Sequence, residues 1–311
     1  MKHLKTLLGM ALVASSAFVA ASCSDDDDDS INRCDRKDCE ILQGMFNEMG
    51  ITVDSDPTKW PGVRWTVTVN PDGIRRVRSL SLTVEEGSHQ IPENIADLSY
   101  LQALYLKGAG ISGTLPESLC ALGQLDTLCI TNTSMTSLPD NTFNGRMKYV
   151  QITGNLQMSC ALPSSITSLK GINKDEKMGR LNQSFLIDTN GFTGEIPAMS
   201  GVNILIARND FTAYDYSNAF TATQSMKDDD TEEIWGVAAP VNRLGGEVPA
   251  SVLADTLASI HFAYLVRPNL QKGTGFTNFY SRQELVKMAA EFYAAHPEYK
   301  NLTKLLSETS F

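Results

Sequence analysis

A six-residue pattern that recurs along the chain restricts its fold more than any other feature. ISGTLP stands at Ile111–Pro116, FTGEIP at Phe192–Pro197 and LGGEVP at Leu244–Pro249. Each reads apolar, small, Gly, any residue, apolar, Pro. A turn requires only the Gly or the Pro, so the complete pattern, repeated, marks a periodic architecture. Extending the alignment outward gives a template, LxxLxLxxNxLxGxIP. LQALYLKGAGISGTLP from Leu101, NQSFLIDTNGFTGEIP from Asn182 and IWGVAAPVNRLGGEVP from Ile234 fit it well, and weaker copies begin at Val77, Leu125, Met147, Gly201 and Leu257. The commonest step between starts is 22 to 24 residues, the length of a coil made of one strand and one return leg.

The letters have physical reasons. Apolar residues at the fourth and sixth positions alternate as on a strand with one buried face. The Asn side chain can bond main-chain groups as the chain turns off the strand. Gly and Pro shape the return leg, and a further apolar pair such as Leu119 and Leu122 packs the outer side. One coil cannot bury its own apolar face, so coils must stack. The expected fold class is an α/β repeat solenoid with a parallel sheet on its concave side.

With its G-x-[IL]-P element the chain resembles the plant-type leucine-rich-repeat class, from about Arg33 to Leu270. The resemblance implies a horseshoe of about eight coils over residues 77–276, after an N-terminal cap of helix and strands over residues 33–76. There CEILQGMFNEMG places Ile41, Leu42, Met45, Phe46 and Met49 on one helical face, and Trp60, Gly62 and Val63 match the family's W-x-G-V-x-C. Trp65 holds the Cys position, so a Trp packed over the open end of the core is expected in place of a disulfide. Cys34 and Cys39, in CDRKDC, are close enough to pair and would tie the start of the fold. SRQELVKMAAEFYAA opens with Ser281 and Glu284 at capping-box spacing. It carries Leu285, Met288, Ala289, Phe292 and Tyr293 as an apolar stripe, and residues 277–311 read as a helical C-terminal cap.

The first residues follow a different logic. MKHLKTLLGMALVASSAFVAASC has Lys2 and Lys5, then an apolar run from Leu7, then small residues up to Cys23. That is the layout of a signal peptide over residues 1–22, too short and small-residue-rich for a good membrane span. Ala20-Ala21-Ser22-Cys23 resembles a bacterial lipobox, which implies that Cys23 carries acyl chains such as palmitate and anchors the protein to a membrane. SDDDDDS follows at once, and five like charges cannot pack. This linker, residues 23–32, resembles the acidic signal that sends lipoproteins of Gram-negative gut commensals to the outer cell surface. The expected location is the outer membrane, lipid-anchored and facing the exterior.

Composition excludes several classes. Hydrophobic content of 42% with 20% charged residues is globular rather than disordered. A net charge of −10 without a basic patch argues against nucleic acid. Cys120, Cys129 and Cys160 form an odd set, not a dense disulfide framework. GAGISG at Gly108–Gly113 has the letters of a dinucleotide fingerprint, but that motif must open a helix and TLP follows instead. His89, His261 and His296 lie far apart, without partners at metal-ligand spacing, and Asp228-Asp229-Asp230 lacks the alternation of a calcium loop. Cys129 falls at an outward strand position with no His predicted beside it. The chain reads as a non-enzyme without cofactor or metal.

What the fold offers instead is a face. Outward positions include Tyr105, Lys107, Asp126, Tyr149, Gln151, Asp188, Arg208, Trp235 and His261. Tyr, Trp and Arg are the types that carry binding energy at interfaces, and aromatic rings also stack on sugars. Insertions at Ser168–Arg180 and Ala213–Glu233 lengthen two coils and offer loops at one rim. The sequence thus predicts a monomeric surface protein that binds a protein or glycan partner on its concave face. A cell-envelope spacer without a specific ligand is the alternative. Labelling with a fatty-acid probe tests the anchor: Cys23→Ala should abolish incorporation. Replacing Asp25–Asp29 by Ala should leave the protein lipidated but shielded from protease added to intact cells.

Overall fold

The structure, a computed structural model, describes residues 34–67, 72–170, 173–175, 180–182, 185–199, 202, 204–214, 237–239, 241–266 and 275–297. Cys23 and the acidic linker lie outside them. Helix α1 (Arg36–Glu48) begins where the Asp35 carboxylate accepts from the Asp38 backbone N–H, and it buries the predicted face of Ile41, Leu42, Met45 and Phe46. The strands in chain order begin with β1 (Val63–Trp65), β2 (Val77–Thr83), β3 (Ala103–Lys107), β4 (Ser112–Thr114), β5 (Thr127–Thr131) and β6 (Ser134–Ser137). β7 (Tyr149–Thr153), β8 (Asn173–Asp175), β9 (Arg180–Asn182) and β10 (Phe185–Asp188) follow. The last are β11 (Thr193–Ile196), β12 (Ile204–Ala207), β13 (Asp210–Tyr214) and β14 (Val237–Ala238).

One sheet organises them, in the order β1-β2-β3-β5-β7-β10-β12-β14. Only β1 runs antiparallel to its neighbour; every later pairing in this sheet is parallel. The parallel register places each coil's fourth template position beside the next, as Leu80, Leu104, Leu128, Val150, Phe185 and Ile204. The sixth positions form a second row from Leu82 to Ile206, and no member of either row is more than 3% exposed. A slip of one residue would turn both rows to water, so hydrophobic burial itself fixes the stacking. This is a repeat fold of stacked coils on a mostly parallel sheet.

The return leg is as regular. Gly113, Gly194 and Gly246 take φ of 78°, 85° and 97°, backbone that only Gly enters without strain. The template prolines Pro92, Pro116 and Pro163 each precede a short 3₁₀ turn, and Pro249 precedes helix α2 (Ala250–Leu253). Those turns bury the outer apolar pairs, Leu119 and Leu122 among them. Between strand and return leg, β4 pairs with β6 and β11 with β13, both parallel.

A ladder of buried asparagines ties coil to coil. Asn155, Asn190, Asn209 and Asn242 hold the template Asn position and are at most 7% exposed. Each amide nitrogen donates to a strand carbonyl of the coil before it: Ile130, Ile152, Ile187 and Ile206, at 2.8–3.2 Å. Each amide oxygen accepts the backbone N–H of the corresponding residue one coil back, at 2.9–3.2 Å. Thr133 continues the row, donating both its backbone N–H and its Oγ1 hydroxyl to the Asn155 amide oxygen. The residue just before the ladder position is left-handed in six coils, at Gly108, Asn132, Gly154, Thr189, Arg208 and Val241. Thr189 and Val241 are β-branched, for which that conformation is strained, and the bonds on either side hold it in place.

The ends differ from the middle. Trp65 is buried against Trp60, whose ring meets Phe46 edge to face at 5.7 Å, and its indole N–H donates to the Pro57 carbonyl at 3.1 Å. The predicted replacement of Cys by Trp is therefore a packing one. Cys34 and Cys39 lie buried with their side chains in contact, as the spacing predicts, and are in the thiol state. The hydrogen bond from Cys39 draws the Cys34 thiol below its usual range. No eighth coil begins at Leu257: Thr256–Val266 form helix α3. The segment lacks the Gly and Pro of the return leg and is apolar all round, which suits a buried helix; Phe262 and Val266 are at most 1% exposed. Helix α4 (Arg282–Ala295) packs on α3 through Leu285 and Ala289, and both bonds of the predicted Ser281–Glu284 capping box are present. At the first insertion, β8 and β9 form an antiparallel pair that runs past its end to Asn182.

Two outcomes test this architecture. Asn190→Ala strands the Asn155 N–H and the Ile152 carbonyl in the core. Urea denaturation should show a loss of about 2–6 kcal/mol, the sum of two such penalties, against almost none for the exposed Thr136→Ala. Asp38 is 4% exposed and accepts the Val77 N–H at 2.8 Å. Burial pushes its carboxyl from 3.8 up to about 6, with Asp35 adding to the rise. The folded state therefore holds this proton more tightly than the unfolded one, and its share of stability is lost as pH rises from about 4 through 6. Asp38→Asn, which keeps the acceptor, should flatten the denaturation midpoint across that window.

Candidate binding face

The outward positions of the strands lie in rows as regular as the inward ones. Pairing sets Ser81 beside Tyr105, Tyr105 beside Cys129 and Cys129 beside Gln151, and it sets Thr83 beside Lys107 and Lys107 beside Thr131. These residues with Thr127 and Tyr149 line a shallow open depression of about 550 Å³ on the sheet. Tyr105 and Tyr149 are 38% and 36% exposed, large rings kept at the surface on rigid strands. The Tyr149 hydroxyl donates to the Gln151 amide oxygen at 2.9 Å. Burial raises both tyrosine hydroxyls above their usual range, with Cys129 adding to it, so they remain protonated donors.

Of the residues predicted for this face, Tyr105, Lys107, Tyr149 and Gln151 come together in the depression. The others do not. Asp126 precedes β5 and sits at the edge, accepting from Thr127 Oγ1 at 2.9 Å and from Lys148 Nζ at 2.8 Å. Arg208 follows β12 in the left-handed turn rather than on the sheet, where it pairs with Asp188 and donates to Thr189 Oγ1. His261 belongs to α3 and is on no strand. Trp235 and Asp228–Asp230 lie outside the described residues, as does most of the second insertion.

The site adds residues that the search for aromatic and charged types passed over. Ser81, Thr83, Thr127 and Thr131 line the depression, and the template's odd strand positions alone would have found them. Cys129 is 7% exposed between two tyrosines, and burial pushes its thiol up to about 11, the opposite of an activated nucleophile. The fingerprint-like glycines have a packing role: a Cβ on Gly110 would stand 2.3 Å from the Glu86 carbonyl of the neighbouring coil. Among the described residues no group of His, Cys, Asp and Glu is placed to hold a metal ion, and no helix is long and apolar enough to cross a membrane.

The fold and face together define a class: an α/β repeat solenoid with an open aromatic face on its mostly parallel sheet. No family model matches the chain. A solved plant ice-binding protein superposes with a TM-score of 0.50 at 21% identity, over 70% of this chain and 66% of that one. The likeness is one of fold. The leucine-rich-repeat ectodomain of the receptor kinase SOBIR1 from Arabidopsis thaliana is looser, with a TM-score of 0.45 at 16% identity, over 59% of this chain and 99% of that ectodomain.

Proposed function

We propose that this protein is a lipid-anchored receptor-like binder on the outer surface of a Gram-negative cell, taking a protein or glycan partner on its concave sheet. The observation that carries the proposal is the pairing of two exposed tyrosines with a strand scaffold that fixes them before any partner arrives. Side chains ordered in advance lose little entropy on contact, and Tyr is among the residue types that dominate interface energies. The horseshoe curvature, the terminal caps and a monomeric state complete this reading. The helices at the two ends, α1 and α3–α4, are where a solenoid needs covers for its open coils. Lipidation at Cys23 and export through the acidic run rest on the sequence, and they would hold the face away from the membrane on a charged tether. Trp235, which opens the last coil after the long insertion, joins the same face in this proposal.

The test uses the purified full chain beside a Tyr105→Ala/Tyr149→Ala double variant, both passed over panels of extracellular proteins and polysaccharides. A partner retained by the wild type should bind the double variant at least about tenfold more weakly, the loss of an interface hot spot, with the urea midpoint unchanged. A partner indifferent to the double variant would move the binding site off the concave sheet.

A further inference from the structure

We infer that the depression between β3 and β7 takes a neutral oligosaccharide, an inference that rests on the concave sheet being the binding face and adds the ligand's chemistry. Its lining is short hydroxyls (Ser81, Thr83, Thr127, Thr131), the Gln151 amide and two tyrosine rings. In a chain of net charge −10, no carboxylate lines it. The acids at its edges are already engaged, Asp126 with Lys148 and Asp188 with Arg208. The single charged residue in the lining is Lys107, at the end of β3. A polyanion would require several cations, and a small apolar ligand would require an enclosed apolar pocket. Neither is present in this depression.

Sugars fit what is there. A pyranose presents an apolar C–H face to an aromatic ring and hydroxyls at its edge, so it can cover a tyrosine and exchange bonds with Ser, Thr and amide groups. Gln151 is set for this: the Tyr149 hydroxyl holds its amide oxygen, which leaves the NH₂ group to donate to a ligand. The spacing of the backbone positions that carry the rings argues for a chain of sugars over a single one. Tyr149 pairs with Thr127 and Thr127 with Ala103, so Tyr105 lies two strands across and two residues along. With strands about 4.8 Å apart and a rise of about 3.3 Å per residue, the two Cα atoms stand roughly 12 Å apart. A short run of linked sugars bridges that distance and a monosaccharide does not.

Affinity electrophoresis of the full chain tests this, in gels holding β-glucan, α-glucan, mannan, galactan or xylan, with polygalacturonate and heparin as acidic probes. At least one neutral polymer should retard the protein, and its hexasaccharide should bind about tenfold or more tightly than its monosaccharide. Tyr105→Ala and Tyr149→Ala should each weaken binding about tenfold. Gln151→Ala, which touches no core contact, should weaken it without moving the urea midpoint. Retardation by acidic polymers alone, by none of the polymers, or in a manner indifferent to these substitutions overturns the inference. If no polymer binds while a protein partner is lost in the Tyr105→Ala/Tyr149→Ala variant, the sugar chemistry fails and the concave binding face stands. If no partner of any kind depends on the face, both fall.

Discussion

Each coil of this solenoid buries a turn of backbone that cannot satisfy itself, and the asparagine ladder is what makes that burial tolerable. A buried peptide group without a partner costs about 1–3 kcal/mol, and the turn off every strand exposes such groups to the core. Asn is the side chain that meets both needs at once, since its amide offers a donor and an acceptor on a short stem. In Asn155, Asn190, Asn209 and Asn242 the donor serves a strand carbonyl and the acceptor a backbone N–H. The apolar rows supply the driving force for stacking, but they are non-directional. The ladder supplies the registration that holds neighbouring strands in step, and with them the order of the outward side chains.

That order separates what stabilises the fold from what it displays. Inward positions repeat one chemical type, so Leu, Ile, Val and Phe replace one another with little consequence for the architecture. Outward positions are released from that demand and vary freely, from Ser81 to Tyr105 to Cys129 to Gln151 along a single row. The regular framework thus displays an irregular surface. The face is polar and aromatic toward the N-terminal coils, whereas Leu186 and Leu205 hold the same row farther along. Surface chemistry is therefore graded along the solenoid axis by sequence alone, with no change of backbone.

Much of the fold is legible in the sequence because each template letter has one physical job. The strand leucines, the Gly at positive φ, the Pro before a 3₁₀ turn and the Ser281–Glu284 box all stand where their chemistry places them. The eighth coil failed because an apolar run such as TLASIHFAYLV satisfies alternation and helix equally, and only the missing Gly and Pro distinguish them. The binding face was legible in part. Tyr105 and Tyr149 follow from counting along the strand, but Asp126 and Arg208 sit one residue beyond the strand ends, where the chain turns and a side chain reaches the edge instead of the face. An ion pair such as Arg208–Asp188 joins coils a full repeat apart, a contact that no local pattern announces.

The ladder also has a direction, which bears on how the molecule comes into being. Every asparagine serves the coil before it, so the carbonyl of Ile152 waits for Asn190 and that of Ile187 waits for Asn209. A chain emerging amino end first always carries one unfinished coil at its growing edge, completed only when roughly one more repeat has followed. Assembly on this plan advances one step behind synthesis. A chain stopped partway would keep an open, hydrogen-bond-hungry end, and the helical segment from Thr256 onward is the natural terminator that a nascent solenoid must reach before it stops offering that end to its neighbours.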